Sequence, residues 1–418
     1  MALLFLCLIF GTGRTQKIEA AVQNVPESLE EESRLDTVGT DQETERAAVR
    51  EKKGQQEKEA GDTETDQAAA AQDELLAELD FDAIQQEVDS LLSSQQFSFA
   101  GTVRSLLQDG DPFRTFRAGN AVLSCAKTAF LAQKGLMKEL FLLVLAGAVL
   151  GNFSSLFEGK QVRDASFYMV YLLALALILK NFQSSGENLK AVITSLVAFM
   201  RILTPSYYLA AAAAGGASSA VMFYQMLLLV ILAVEKLLLA LVLPMIHIYL
   251  LIALVNDLSG EEILSHMTEL LETCVNGLLK SSLGVLVGMQ MIRNLIAPAL
   301  DSLRQMALWR TAGMIPGIGN AVNAVTELVA GSAVLIRNCF GVTAMLVLLA
   351  AGMVPAVQLL VSGLSFRLLA AAAQPVSDKR IAGCLAAAGK GYAMLLRLLL
   401  TVEVLFLLTI AILAGTFS

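Results

Sequence analysis

Apolar residues in this chain gather into long runs separated by short polar stretches. Two runs, ELFLLVLAGAVLGNFSSLF (139–157) and SFYMVYLLALALILKNF (166–182), approach the roughly 20 residues with which a helix crosses a bilayer. Later runs at about 281–298, 339–360 and 392–414 repeat the pattern. The run from Ala220 to Val255 has 36 residues, about 54 Å as a helix against a hydrocarbon core about 30 Å thick, so it bends or breaks. Glu235 and Lys236 in its middle, and Pro244, whose ring and missing N–H disrupt the helical ladder, mark the candidate positions. Residues 261–280 differ: Ile263, Met267, Leu270, Leu271, Cys274 and Leu278 form one stripe with Glu262, Glu269 and Glu272 off it. That predicts an interfacial amphipathic helix in place of a span. The expected fold is an all-α polytopic membrane protein whose membrane domain, 136–418, holds seven to nine membrane segments, several broken or re-entrant.

The first 135 residues divide differently. An apolar start followed by Gly11 and Gly13 gives 1–13 the look of a secretory signal, although it lacks a basic n-region. Residues 14–72 are rich in Glu, Gln, Thr and Ala and have few large apolar side chains, so they cannot bury enough surface to offset their ordering entropy. They read as a disordered acidic linker. Within 73–135, Leu75, Leu76, Leu79, Ile84, Val88, Leu91 and Leu92 recur at near-helical spacing, as in a short amphipathic helix that packs on its own neighbours or docks a partner. The signal-like start places this region outside the cytoplasm, whereas Arg114, Arg117, Lys127, Lys134 and Lys138 ahead of the first long span argue for the opposite side.

Prolines recur with equal spacing. Pro205 and Pro316 are each followed 39 residues later by a second proline, Pro244 and Pro355, inside an apolar run. Each pair encloses a small-residue cluster, AAGGASSAV with Gly215 and Gly216 in the first and VAGSAV in the second. The match points to an internal repeat of about 187–255 and 298–366. Interrupted apolar segments at corresponding positions of two halves mark a site or path at their interface, because irregular backbone at membrane depth survives only where protein or water covers it. Two readings stay open. Residues 204–218 and 313–320, the latter with Pro316, Gly317 and Gly319, form broken or re-entrant segments lining a polar path, or they are kinked helices whose glycines permit close packing. Asn320, Asn323 and Glu327 fall at i, i+3 and i+7 on one helix face and favour the path. Glu235 and Lys236 are candidate intramembrane charges, and Arg397 and Glu403 also fall within apolar runs. Arg293 and Arg337 are expected to snorkel to the interface.

Composition removes most enzyme classes. The chain is 56% hydrophobic and 16% charged with a mean hydropathy of +0.63, which excludes an ordinary soluble domain. Its net charge of -8 conceals a division, since 15–100 carries 22 acidic against 7 basic residues and 101–418 carries 16 against 22. Five scattered cysteines (Cys7, Cys125, Cys274, Cys339, Cys384) and two histidines (His247, His266) supply neither a disulfide framework nor a zinc site nor a Ser-His-Asp triad. GCLAAAGKG (383–391) has five residues between Gly383 and Gly389 and Gly391 where a phosphate loop needs Ser or Thr. With no dense basic-aromatic patch, nucleic acid is not an expected partner; the lipid bilayer is. No catalytic residue, metal or cofactor is expected.

Four stretches carry a family resemblance: TPSYYLAAAAAGGASSAVMF, the run reaching VLPMI, GMIPGIGNAVNAVTELVAGSAVLIRNCFGVTAMLVLLAAGMVPAVQLL, and AAAAQPVSDKRI. In this order they make the chain similar, over about 100–418, to the stage III sporulation protein AE family of endospore-forming bacteria, with 315–338 the most specific part. The resemblance implies a non-enzymatic structural role in a secretion-like channel complex that links mother cell and forespore, in the mother-cell membrane, with other stage III sporulation membrane proteins as partners. It carries over no catalytic residues. The alternative that the residues leave open is an autonomous secondary transporter with its substrate path at the repeat interface.

Overall fold

A chain this apolar must satisfy its backbone amides locally, and helices do so. The computed structural model describes residues 80–92, 97–109, 118–154, 160–213, 218–259, 264–312 and 319–415. The helices are α1 (Phe81–Leu91), α2 (Phe99–Asp109), α3 (Ala118–Ser154), α4 (Lys160–Ala213), α5 (Ser218–Leu237), a π-turn (Leu238–Val242), α6 (Leu243–Ser259), α7 (Ser265–Ala312), α8 (Gly319–Ala373) and α9 (Lys379–Gly415). The signal-like segment 1–13 and the linker 14–72 lie outside the described residues, and everything below concerns the unit 66–418.

The longest helices overturn part of the expected division into spans. α4 runs without interruption through 54 residues, about 81 Å, although its sequence reads as one span, a polar interruption and the start of another. The reason is a buried stripe that crosses the interruption. Ala174, Ile178, Phe182, Gly186, Leu189, Ile193, Leu196, Met200 and Leu203 recur every three or four residues, while Lys180, Gln183, Ser184, Glu187 and Lys190 sit on the exposed side. Similarly, the described part of the stripe, from Met267 to Leu278, and the apolar run after it belong to the single helix α7. Among the described residues five helices are long and apolar enough to cross a membrane: Phe167–Tyr207, Leu228–Ser259, Ser265–Ile292, Gly331–Ala373 and Lys379–Ile412. The seven to nine segments of the expectation are therefore not what the described residues show.

The overlong run from Ala220 to Val255 does deform, between the two positions singled out. Leu243 donates its amide to the carbonyl of Leu238, five residues back, so one residue is accommodated beyond an α-turn immediately before Pro244. Pro244 has no amide hydrogen and its ring crowds the carbonyl of Ala240; the wider turn absorbs both defects while the helix continues. Pro205 and Pro355, by contrast, lie inside α4 and α8. The internal repeat is not confirmed: Pro244 follows a π-turn whereas Pro355 lies inside α8, and residues 214–217 of the first small cluster lie outside the described residues.

α8 is the hub, packed on α2, α3, α4 and α9. No residue from Cys339 to Val357 is exposed. The turn after α8 closes through Ser377 N–H to Ala373 O (2.8 Å), and Asp378 Oδ1 accepts the Arg380 amide (3.0 Å) at the start of α9, which returns antiparallel along α8.

α1 packs on its own neighbours, not as a free arm. Asp80 caps it by accepting the Ala83 amide (3.1 Å), and Ile84, Val88 and Leu92 bury one face. The Gln85 side-chain amide ties it to α2, donating to Phe97 O (2.7 Å) and accepting from Phe99 N (2.8 Å). Phe99 then meets Phe340 of α8 edge-on at 4.9 Å, with Phe81 and Tyr207 on the same ring.

Candidate functional site

The chemistry of the unit concentrates where α4, α6, α8 and α9 meet. Asn181 and Ser185 lie one turn apart on the buried side of α4, opposite Tyr392 of α9. Asn181 Nδ2 donates to the Tyr392 hydroxyl (2.6 Å), and Ser185 Oγ, 3.2 Å from that hydroxyl, donates to Asn181 O (3.0 Å). The Tyr392 proton is therefore left to Ser185, and the network closes on itself. Rings enclose it: Phe366 stacks on Tyr392 at 5.3 Å, and Phe182 meets it edge-on at 5.2 Å. His247 of α6 completes the layer, edge-on to Phe182 at 5.2 Å with Nδ1 donating to Leu243 O (2.9 Å). Its imidazole lies so close to α4 that a Cβ at Gly186 would stand 2.6 Å from Cε1 and Nε2.

Beside this layer opens a cleft of about 340 Å³ between α1, α4 and α8. Leu91 and Leu92 of α1 form one edge; Ser185 and Asn188 of α4 and Gln358 and Ser362 of α8 supply neutral polar groups. Pro355 lines it too, and its missing amide leaves the Ala351 carbonyl without its usual helical donor. On the α9 side of the same stretch of α8, the carboxyl of Glu403 occupies the space a side chain at Gly352 would need.

Two further polar joints flank the layer. Glu272 of α7 pairs with Lys390 of α9, whose ammonium also stands over the Tyr249 ring at 5.9 Å, and Arg397 Nη1 donates to Asn276 Oδ1 (3.0 Å). Toward the turn between α8 and α9, Tyr171 donates to Leu254 O (2.5 Å) and Arg380 lies over Phe167 at 5.4 Å. The glycine-rich stretch 383–391 is helical throughout, so Lys390 serves a helix contact and not a phosphate loop. Among the described residues no group of three His, Cys, Asp or Glu is placed to hold a metal ion.

Of the candidate path residues singled out in sequence, Pro355 lines the cleft. Pro205 and Pro244 are exposed, Glu235 is half-buried just before the π-turn, and Lys236 is exposed. Gly319, Asn320, Asn323 and Glu327 belong to the first turns of α8, while Gly215, Gly216, Pro316 and Gly317 lie outside the described residues. Arg293 lies in α7. Arg337 contradicts the snorkelling expectation: it is 1% exposed, enclosed by protein at the hub helix. Asn181, Ser185 and Tyr392 escaped sequence reasoning because the two sides of the network stand 207 and 211 residues apart. The available signal was the pair of small polar residues sharing a face with Phe182 and Leu189.

A family model described as Stage III sporulation protein AE matches residues 97–416, which includes α2 to α9 and both faces of the polar layer. The chain belongs to the stage III sporulation protein AE family. The Stage III sporulation protein AE of Bacillus subtilis (strain 168) is 22% identical over 291 residues, covering 69% of this chain and 73% of that protein. No solved structure matches the chain. Membership of this family assigns the chain to sporulation, and its five apolar helices make it a membrane protein.

Proposed function

We propose that this chain is a non-enzymatic structural component of a multi-protein, secretion-like channel linking mother cell and forespore, seated in the mother-cell membrane around the forespore. The observation that carries this reading is helix length within a sporulation family. α4 and α8, of 54 and 55 residues, are each about 80 Å long, more than twice the hydrocarbon thickness. Much of each helix therefore stands outside the apolar slab, held rigid by the α8 hub, and offers side-chain surface to other stage III membrane proteins.

The test is purification of a tagged copy from sporulating cells in mild detergent, with co-purifying chains identified by mass spectrometry. Recovery with other stage III membrane proteins is expected. Recovery of the folded protein alone, together with solute uptake when it is reconstituted by itself in liposomes, would replace this reading with an autonomous transporter.

A further inference from the structure

The cleft between α1, α4 and α8 differs from the packed interfaces around it. Its floor is apolar, with Leu189 and Ala351 buried, while Ser185, Asn188, Gln358 and Ser362 bring hydroxyl and carboxamide groups to it. No described lining residue is charged. Ala351 and Pro355 stand one turn apart on the cleft face of α8, so the carbonyl that lacks its helical donor lies at the cleft. A backbone acceptor at a buried residue needs a hydrogen bond from some other source.

The outward face of α4 sets the level of this cleft in the membrane. Toward the start of the helix Tyr168, Met169, Leu172 and Leu173 are exposed, whereas from Lys180 onward Gln183, Glu187 and Lys190 are. Beside the cleft, α1 exposes Asp82, Gln86 and Asp89. Hydrocarbon therefore gives way to water near the mouth of the cleft. Leu173 lies about 18 Å along the helix from Ser185, comparable with half the thickness of the hydrocarbon core, about 15 Å. A lipid whose chains lie along the apolar stretch carries its glycerol to the level of the cleft.

Chemistry narrows the lipid. A phosphate headgroup would enter a cleft whose described lining offers no counter-ion, which is disfavoured, whereas a hydroxyl supplies the donor that the Ala351 carbonyl lacks. The Asn188 and Gln358 carboxamides can donate to ester carbonyls. At about 340 Å³ the cleft is near the lower end of small-molecule sites, roughly 300–1,000 Å³, so it takes the head of such a lipid and leaves the chains outside.

We propose that this cleft binds the glycerol end of a non-ionic, hydroxyl-bearing lipid, of which diacylglycerol is the simplest, with its hydroxyl donating to the Ala351 carbonyl. The site stands independently of the assembly role proposed above.

The intact protein in detergent micelles supplies the test. A diacylglycerol with a photoactivatable diazirine close to one ester is added and irradiated, and labelled peptides are located by mass spectrometry. Labelling within 185–192 or 350–362 is expected, suppressed by excess unlabelled diacylglycerol. Phosphatidic acid of the same chains, and the methyl ether of the same diacylglycerol, which lacks the donor, should suppress it several-fold less. Equal suppression by all three lipids overturns the proposal, because the cleft would then be covered by lipid without selection. Labelling confined to the apolar stretch 168–173 also overturns it and leaves the cleft to a protein segment. Pro355→Ala gives an independent readout, since it returns an amide to Ala351 in a residue type that favours helix. Labelling of the cleft should fall several-fold in this variant, and undiminished labelling would remove the Ala351 carbonyl from the site.

Discussion

At the scale of single residues, the interior depends on a few positions where one side chain occupies another's space. Gly352 and Glu403 are the sharpest case. Gly352→Ala puts a methyl where the carboxyl lies, and overpacking of this kind costs about 1–3 kcal/mol. Glu403→Ala in the same chain vacates the space, so the double variant should be more stable than the sum of the two single effects, as thermal or denaturant unfolding in detergent can measure. Additive losses would mean that the two residues do not share that space. The sequence displayed a charge at 403 inside an apolar run, but its receptacle was invisible, since a glycine 51 positions earlier in an alanine-rich helix gives no hint of what fills it. Arg337 shows the opposite failure. Position alone suggested a side chain reaching for the interface, whereas enclosure by the hub decided its burial.

At the scale of elements, continuity of α4 is the finding that linear hydropathy hides. Averaging along the chain treats 183–188 as a gap, yet the helix presents Gln183, Ser184 and Glu187 outward and carries Phe182, Gly186 and Leu189 inward. Spin labels at the exposed positions Leu172 and Arg201, 29 residues apart, should report a separation of about 44 Å with a narrow distribution. A much shorter distance would restore the broken pair of spans. Where the deformation is local, sequence came closer: the candidate positions in the run from Ala220 to Val255 are Glu235–Lys236 and Pro244, and the π-turn at 238–242 falls between them. The proline spacings do not distinguish these settings, because a proline inside a packed helix and one beside a π-turn leave the same mark in sequence.

At the scale of the whole molecule, membrane character and helical class were legible from composition, since apolar runs leave few alternatives. Assembly was not. The polar layer joins α4 to α9, and the hub unites helices from both ends of the chain, through contacts with no local signal. Helices this long also leave open which stretch meets lipid, and exposure along α4 indicates it. Tyr168, Met169, Leu172 and Leu173 are exposed apolar groups suited to acyl chains, whereas Gln183, Glu187 and Lys190 require water. In a cysteine-free background, a membrane-impermeant maleimide applied to open membranes should modify Glu187→Cys at least ten times faster than Met169→Cys, roughly the discrimination expected between aqueous and hydrocarbon sites. Equal rates would remove the bilayer from the first part of α4.

The π-turn before Pro244 also fixes azimuth. One residue beyond an α-turn advances everything downstream by about 100° around the axis, so the face that α6 shows its neighbours is set by a single extra position. Deleting Leu239 would erase that phase offset, turning Tyr249, Leu250 and Leu254 away from α9 and withdrawing the carbonyl that Tyr171 holds. Alanine at the same position keeps the count of residues and should keep the fold, while the deletion should lose the monodisperse detergent-solubilised protein seen on size exclusion. A helix that tolerates a changed side chain but not a changed residue count is being read for its angle of rotation.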